Sequence, residues 1–126
     1  MKVAIVIALF NTLAGVKIMR VKDKEVRTTL LNDFLHLRTF SKESNERQQE
    51  VINKFNADWK DADKQSEAYN KALNALNEAI GEMMNEEVET KLKSVPFSVF
   101  EESGQADDLN LEQLGLLLEW GVLKKE

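Results

Sequence analysis

One apolar stripe that continues across a polar decade constrains this chain more than any other feature. From Val26 it runs through Leu30, Phe34 and Leu37 in steps of four, four and three, which is helical spacing. The stretch Ser41 to Glu50, SKESNERQQE, then presents ten polar residues in a row. Extending the same steps of four and three from Leu37 lands on Ser41, Ser44, Gln48, Val51, Phe55 and then Trp59, so the register before the decade predicts the apolar positions beyond it. Inside the decade the stripe positions are uncharged, while Lys42, Glu43, Glu46, Arg47 and Glu50 lie off it. Glu43 with Arg47, and Glu50 with Lys54, are i,i+4 pairs in the favourable order, each worth about 0.2–0.5 kcal/mol. The spacing therefore predicts one helix from about Lys24 to about Asn56, roughly 50 Å long at 1.5 Å per residue.

A second helix is predicted from about Asp63 to Asn85, with Tyr69, Leu73, Leu76, Ile80 and Met83 or Met84 on one face and several alanines to support it. Asp58, Asp61 and Asp63 read as turn and N-cap residues ahead of it. A short connection sets the two helices antiparallel, as a hairpin. After Asn85 the period changes, and Val88, Thr90 and Leu92 alternate with charged residues as in a short strand ended by Pro96. Its evident mate is the β-branched N-terminus, where Val3 to Phe10 are apolar without a break; residues 3–7 lean towards strand and Ala8 to Ala14 towards helix. Phe97 and Phe100 anchor a connector, and Asn110 with Gln113 has capping-box spacing ahead of a last helix whose apolar side is Leu111, Leu114, Leu117, Leu118 and Trp120. That helix is expected to dock on the hairpin or on a neighbouring subunit. The fold class is mainly α in one domain: a long antiparallel helical hairpin, a short C-terminal helix, and room for a small two-stranded β ribbon. A single proline and five glycines argue against a turn-rich β-sandwich.

The residue inventory excludes more chemistry than it suggests. Cysteine is absent, which removes thiolate nucleophiles and thiolate metal sites. The lone histidine, His36, has Asp33 three residues before it; a base and its orienter would look like this, but so does a surface histidine beside a carboxylate, and the latter is the plainer reading. The acids Glu86, Glu87 and Glu89, then Glu101 and Glu102, then Asp107 and Asp108, lack calcium-loop spacing and read as a solvated face. Scattered glycines form neither a dinucleotide fingerprint nor a phosphate-binding loop, and no cofactor is implied. The N-terminal apolar block is far shorter than the ~20 residues of a membrane span and reads as core, so a cytoplasmic protein is expected.

Charge is distributed unevenly. Residues 1–22 carry Lys2, Lys17, Arg20 and Lys22 and no acid, whereas residues 62–126 hold fourteen acids against six bases. The two ends are expected to neutralise each other within the fold or across a subunit contact. Against a net charge of −5, duplex DNA is a poor partner, because no basic stripe alternates with aromatics. The basic cluster Lys17, Arg20, Lys22, Lys24 and Arg27 is the candidate site for a nucleotide or another anion.

The seam of Ser41, Ser44 and Gln48 admits three accounts: it projects into solvent, its small serines let another helix approach closely, or it hydrogen-bonds a polar ligand. The outer stripe residues Leu30, Phe34, Val51, Phe55 and Trp59, with Leu117 and Trp120 of the last helix, are candidate interface positions. A helix roughly 50 Å long overhangs a 126-residue globule whose radius of gyration is about 14 Å, so a homo-oligomer, most simply a dimer, is expected.

In pattern the chain resembles small uncharacterised helical proteins encoded by tailed phages and prophages. The similarity rests on the short apolar head, the long charged helix, and an acidic tail in which LNEAIGEMMNEEVETKLKSVPFSVF precedes LNLEQLGLLLEW. It carries over no catalytic residues. It implies a phage-like context, in which assembly factors and inhibitors of host defence are common. The expectation is a non-enzymatic protein-interaction factor with a host or phage protein as partner; the alternative is an oligomeric binder of small anions.

Overall fold

The polar decade is the middle of one helix. In the computed structural model, which describes residues 1–125, α2 runs without interruption over Lys24–Asp58. Asp23 starts it by accepting a hydrogen bond from the Val26 backbone N–H at 3.0 Å, which satisfies one of the four donors a helix start leaves free. Thirty-five residues make α2 about 52 Å long. Its buried positions are Val26, Leu30, Asp33, Leu37, Ser41 and Ser44. Asp33, not the expected Phe34, therefore carries the stripe between Leu30 and Leu37. Both fit helical spacing, and Phe34 turns to the flank, where its ring stacks on Phe10 at 5.3 Å.

The N-terminal apolar run is helical from its third residue, as α1, Val3–Ala14. Val3, Val6, Leu9 and Leu13 form its buried row, and Thr12 is buried because its hydroxyl donates back to the Ala8 carbonyl at 2.8 Å. The strand tendency of residues 3–7 thus gives way to a helix, which satisfies its own backbone while laying a branched apolar row on α2. A 3-10 turn at Ile18–Arg20 then leads to α2.

α1 lies along the first half of α2, and this contact explains the serines. Ser41 is 2% exposed and Ser44 8%, and Ser44 borders a small cavity with Val3 and Val6. The seam does not project into solvent. Small side chains let α1 come close, as one of the three accounts requires.

Helix α3, Glu67–Asn85, returns antiparallel to α2 and completes the hairpin. It starts four residues later than expected because Ser66 is its cap, accepting from the Tyr69 N–H at 3.2 Å. Asp63 instead holds the preceding turn by accepting from the Gln65 N–H at 2.9 Å. The ribbon expected between the N-terminus and Val88–Leu92 shrinks to one antiparallel bridge, Lys2 with Glu87. The backbone bonds Val3 N–H to Glu86 O (3.0 Å) and Val88 N–H to Met1 O (2.8 Å) flank it. Once α1 begins at Val3, no further N-terminal backbone is free to pair.

The real ribbon lies elsewhere. β1, Val95–Pro96, pairs in parallel with β2, Leu123–Lys124, with Val95 opposite Leu123. A parallel pair needs a long crossover, supplied by α4 (Phe97–Glu102), a 3-10 turn (Gln105–Asp108) and α5 (Leu111–Glu119). The capping box forms as expected: Asn110 accepts from the Gln113 N–H at 2.8 Å, and the Gln113 side chain accepts from the Asn110 N–H at 3.0 Å. Gly121, at φ 78°, occupies the left-handed position that ends α5 and turns the chain into β2. Leu111, expected on the apolar side, is 87% exposed at the first position of α5.

This C-terminal module joins α1 and the first half of α2, one helix of the hairpin, which is the first of the two expected docking places. Phe100, Leu117, Val122 and Leu123 enter the same core as Leu9, Leu13 and Leu30. Gln105 is the polar tie between chain ends: 2% exposed, it accepts from the Lys17 backbone N–H at 2.8 Å. Gln105→Ala should cost about 2 kcal/mol in denaturant unfolding, because it leaves that amide unpaired; an unchanged midpoint would show that water replaces the contact.

The core is confined to residues 3–44 and 95–123. From Asn45 to Ser94 not one residue is buried. None of the helices among the described residues is long and apolar enough to cross a membrane.

Candidate interaction arm

Beyond Arg47 the second half of α2 and most of α3 form a two-helix arm, and the end of α3 also meets α1 on the compact head. At its base, the Arg47 guanidinium grips the Glu86 carboxylate at 2.9 and 3.2 Å. The hydrogen bond holds the carboxyl below its ordinary range and the guanidinium above its own, but both groups are exposed, so this pair guides α3 more than it stabilises it. At the next residue, the Gln48 amide donates to Ser44 Oγ at 3.2 Å and contacts Met84 Sδ at 3.1 Å. Gln48 therefore serves the hairpin itself.

The arm's apolar residues follow from its two stripes, Val51, Phe55 and Trp59 on α2 and Tyr69, Leu73, Leu76 and Ile80 on α3. With only one helix facing them they stay half-buried. At the tip the Tyr69 ring lies 5.7 Å from Phe55 and 6.2 Å from Trp59, and Phe55 and Trp59 are 6.4 Å apart. These are favourable aromatic separations, and they close the end of the hairpin with three large, partly wet rings.

Of the expected interface positions, Val51, Phe55 and Trp59 are on this arm. Leu30 and Leu117 are not surface at all; each is 0% exposed in the chain's own core. The C-terminal module covers what the hairpin alone would have left bare. Phe34 stacks on Phe10 at the side of the head, and Trp120 is half-buried at the end of α5 with its indole Nε1 buried and without a hydrogen-bond partner.

The basic cluster does not converge. Arg20 and Lys22 border an open cleft of about 570 Å³, whose other lining residues include Asp23 and Glu102. Lys17 and Lys24 are exposed outside that lining, and Arg27 donates to the Val21 carbonyl at 3.3 Å. An anion entering the cleft would meet two carboxylates as well as two cations. Ser41 and Ser44 are enclosed by packing, away from that cleft. Among the described residues no three His, Asp or Glu side chains form a metal-holding group.

Asp33 and His36 do act together, though as struts. His36 Nε2 accepts from the Lys91 backbone N–H at 3.1 Å, and Asp33 Oδ1 accepts from the Lys93 N–H at 3.0 Å. Two side chains three apart on α2 thus hold alternate amides of the extended segment that follows α3. Asp33 is 2% exposed, and its second oxygen is buried with no partner. Burial pushes its carboxyl up from 3.8 to about 6, against the opposing pull of the Lys93 amide and ammonium. The signal was available in the sequence, since Asp33 shares the spacing of Leu30 and Leu37. Comparison of the chain with known protein families, with curated proteins and with solved structures found no match.

Proposed function

We propose that this chain is a non-enzymatic interaction factor that engages other proteins through the α2–α3 arm. Its setting is the one the phage-like pattern implies: an accessory protein of a phage or prophage, acting in the host cytoplasm in assembly or against host defence. The observation that carries this reading is the run from Asn45 to Ser94 without a buried residue. The arm's apolar stripes and aromatic tip are held half-covered by a single hairpin, the state of a helical surface whose third and fourth neighbours come from another molecule. The divided charges in the Arg20 and Lys22 cleft weigh against the anion-binding alternative.

Affinity capture from infected or lysogenic cells, with the recovered proteins identified, compares the wild type with the double variant Val51→Glu, Leu73→Glu. Proteins held by the wild type and lost by a still-folded variant support the reading. Equal recovery by both, or capture that depends on the head alone, overturns it.

A further inference from the structure

We infer that His36 is a pH-sensitive latch: its neutral imidazole holds the strap of residues 89–92 against α2, and protonation of the ring lets that strap go while Asp33 keeps Lys93 in place. The inference stands apart from the reading of the arm. The strap is the chain's return from α3 to the head, and it has no helix or strand of its own. Its ends are tied by backbone, Val88 N–H to Met1 O at 2.8 Å and Val95 N–H to Val122 O at 3.0 Å. Between those ends, among the described residues, only the Lys91 and Lys93 amides have hydrogen-bond partners, and both partners are titratable side chains.

The two tethers answer acid differently. His36 accepts at Nε2, which needs a neutral ring with its proton on Nδ1. The imidazolium carries N–H on both nitrogens, so it sets a donor against the Lys91 N–H and the bond is lost. Asp33 accepts through Oδ1, and its second oxygen has no partner. A proton added to Oδ2 leaves Oδ1 able to go on accepting from Lys93. Burial brings this carboxyl up to about 6, into the range where histidines ordinarily change charge. The Lys91 tether is therefore present while the ring is neutral and lost as the pH falls through its titration, whereas the Lys93 tether outlasts the titration of its own acceptor.

The charges around the ring come from two elements. On α2, Asp33 lies one turn before it, and on the strap Glu89, Lys91 and Lys93 are exposed. α1 brings no ionisable side chain, and the ring meets Phe40 edge-on at 5.1 Å. Arg38 and Lys42 line a separate cleft with Leu35, and Lys124 of β2 lines another with Asp23 and Glu25. Glu86 and Glu87 are engaged by Arg47 and the Met1 ammonium.

Nuclear magnetic resonance of the intact chain from about pH 8 to 5 spans the range of histidine titration and tests the latch. The Lys91 amide shift should move with the same midpoint as the His36 ring protons. Hydrogen exchange at Lys91, corrected for its intrinsic dependence on pH, should rise about five-fold, the effect of one lost bond. The Val95 amide should keep its protection, and Lys93 should lose less than Lys91. His36→Gln, whose carbonyl accepts without titrating, should leave Lys91 flat over the same range, and Asp33→Asn should leave the Lys91 response intact. A Lys91 amide that ignores the titration of the ring, or that responds equally in His36→Gln, overturns the latch. Loss of the response in Asp33→Asn assigns it to the carboxyl and overturns the latch as well. The comparison of midpoints needs no variant, so it decides even where a substitution fails to fold.

Discussion

Ser44→Pro should lower the stability of the chain by about 3 kcal/mol or more. Residue 44 lies deep inside α2, where its N–H bonds the carbonyl one turn back, and proline removes that bond and presses its ring on the same carbonyl. The position is also 8% exposed beside α1, so the ring cannot relieve the clash by turning outward. The damage reaches both parts of the molecule, because Ser44 is where the head ends and the arm begins. Urea unfolding followed by circular dichroism is the measurement. An unchanged midpoint would mean that the decade tolerates a break and that the long helix is not needed to hold the arm.

Asp33→Asn should stabilise the protein at pH 8 by up to about 3 kcal/mol, a displacement of about two pKa units at about 1.4 kcal/mol each. The asparagine oxygen can still accept from the Lys93 N–H, while the desolvated charge is gone. The sign follows from linkage. A carboxyl raised from 3.8 to about 6 by folding binds more protons folded than unfolded between those values. Its burden on the wild type is complete above about pH 6, falls as the pH drops, and is gone below about 3.8. The advantage of Asn over Asp should shrink over the same window. Glu86 and Glu87 act oppositely: hydrogen bonds from Arg47 and the Met1 ammonium hold them low, so their contribution is lost on further acidification. Paired thermal melts from pH 8 to 4 isolate Asp33 as the difference between the two proteins. A constant difference, or a less stable variant at pH 8, would show that the carboxylate has found compensation in the folded state.

The two long helices were legible for a local reason. Periodicity, caps and i,i+4 pairs belong to one helix at a time, so the phase that carries Leu37 through Ser41 and Ser44 to Val51 was already in the chain, as was the Asn110 and Gln113 box. The arm was half legible. Its stripes could be read, but a stripe does not say whether it ends up in a core or half in water. Tertiary structure decided the rest by setting what lies opposite each face. Asp33 and Phe34 fit the helical period equally, and the segment holding Lys91 and Lys93 placed Asp33 inside. The strand tendency of residues 3–7 is a weak local preference, and the area that a helical α1 covers on α2 outweighs it. The serine seam is buried because α1 crosses it, and Leu117 is core because β2 pairs with β1. Those contacts join residues some thirty to more than a hundred positions apart. What sequence by itself determined is therefore the helices and their phases. Which faces are dry was decided in three dimensions, because burial is a property of two surfaces and a local pattern describes only one.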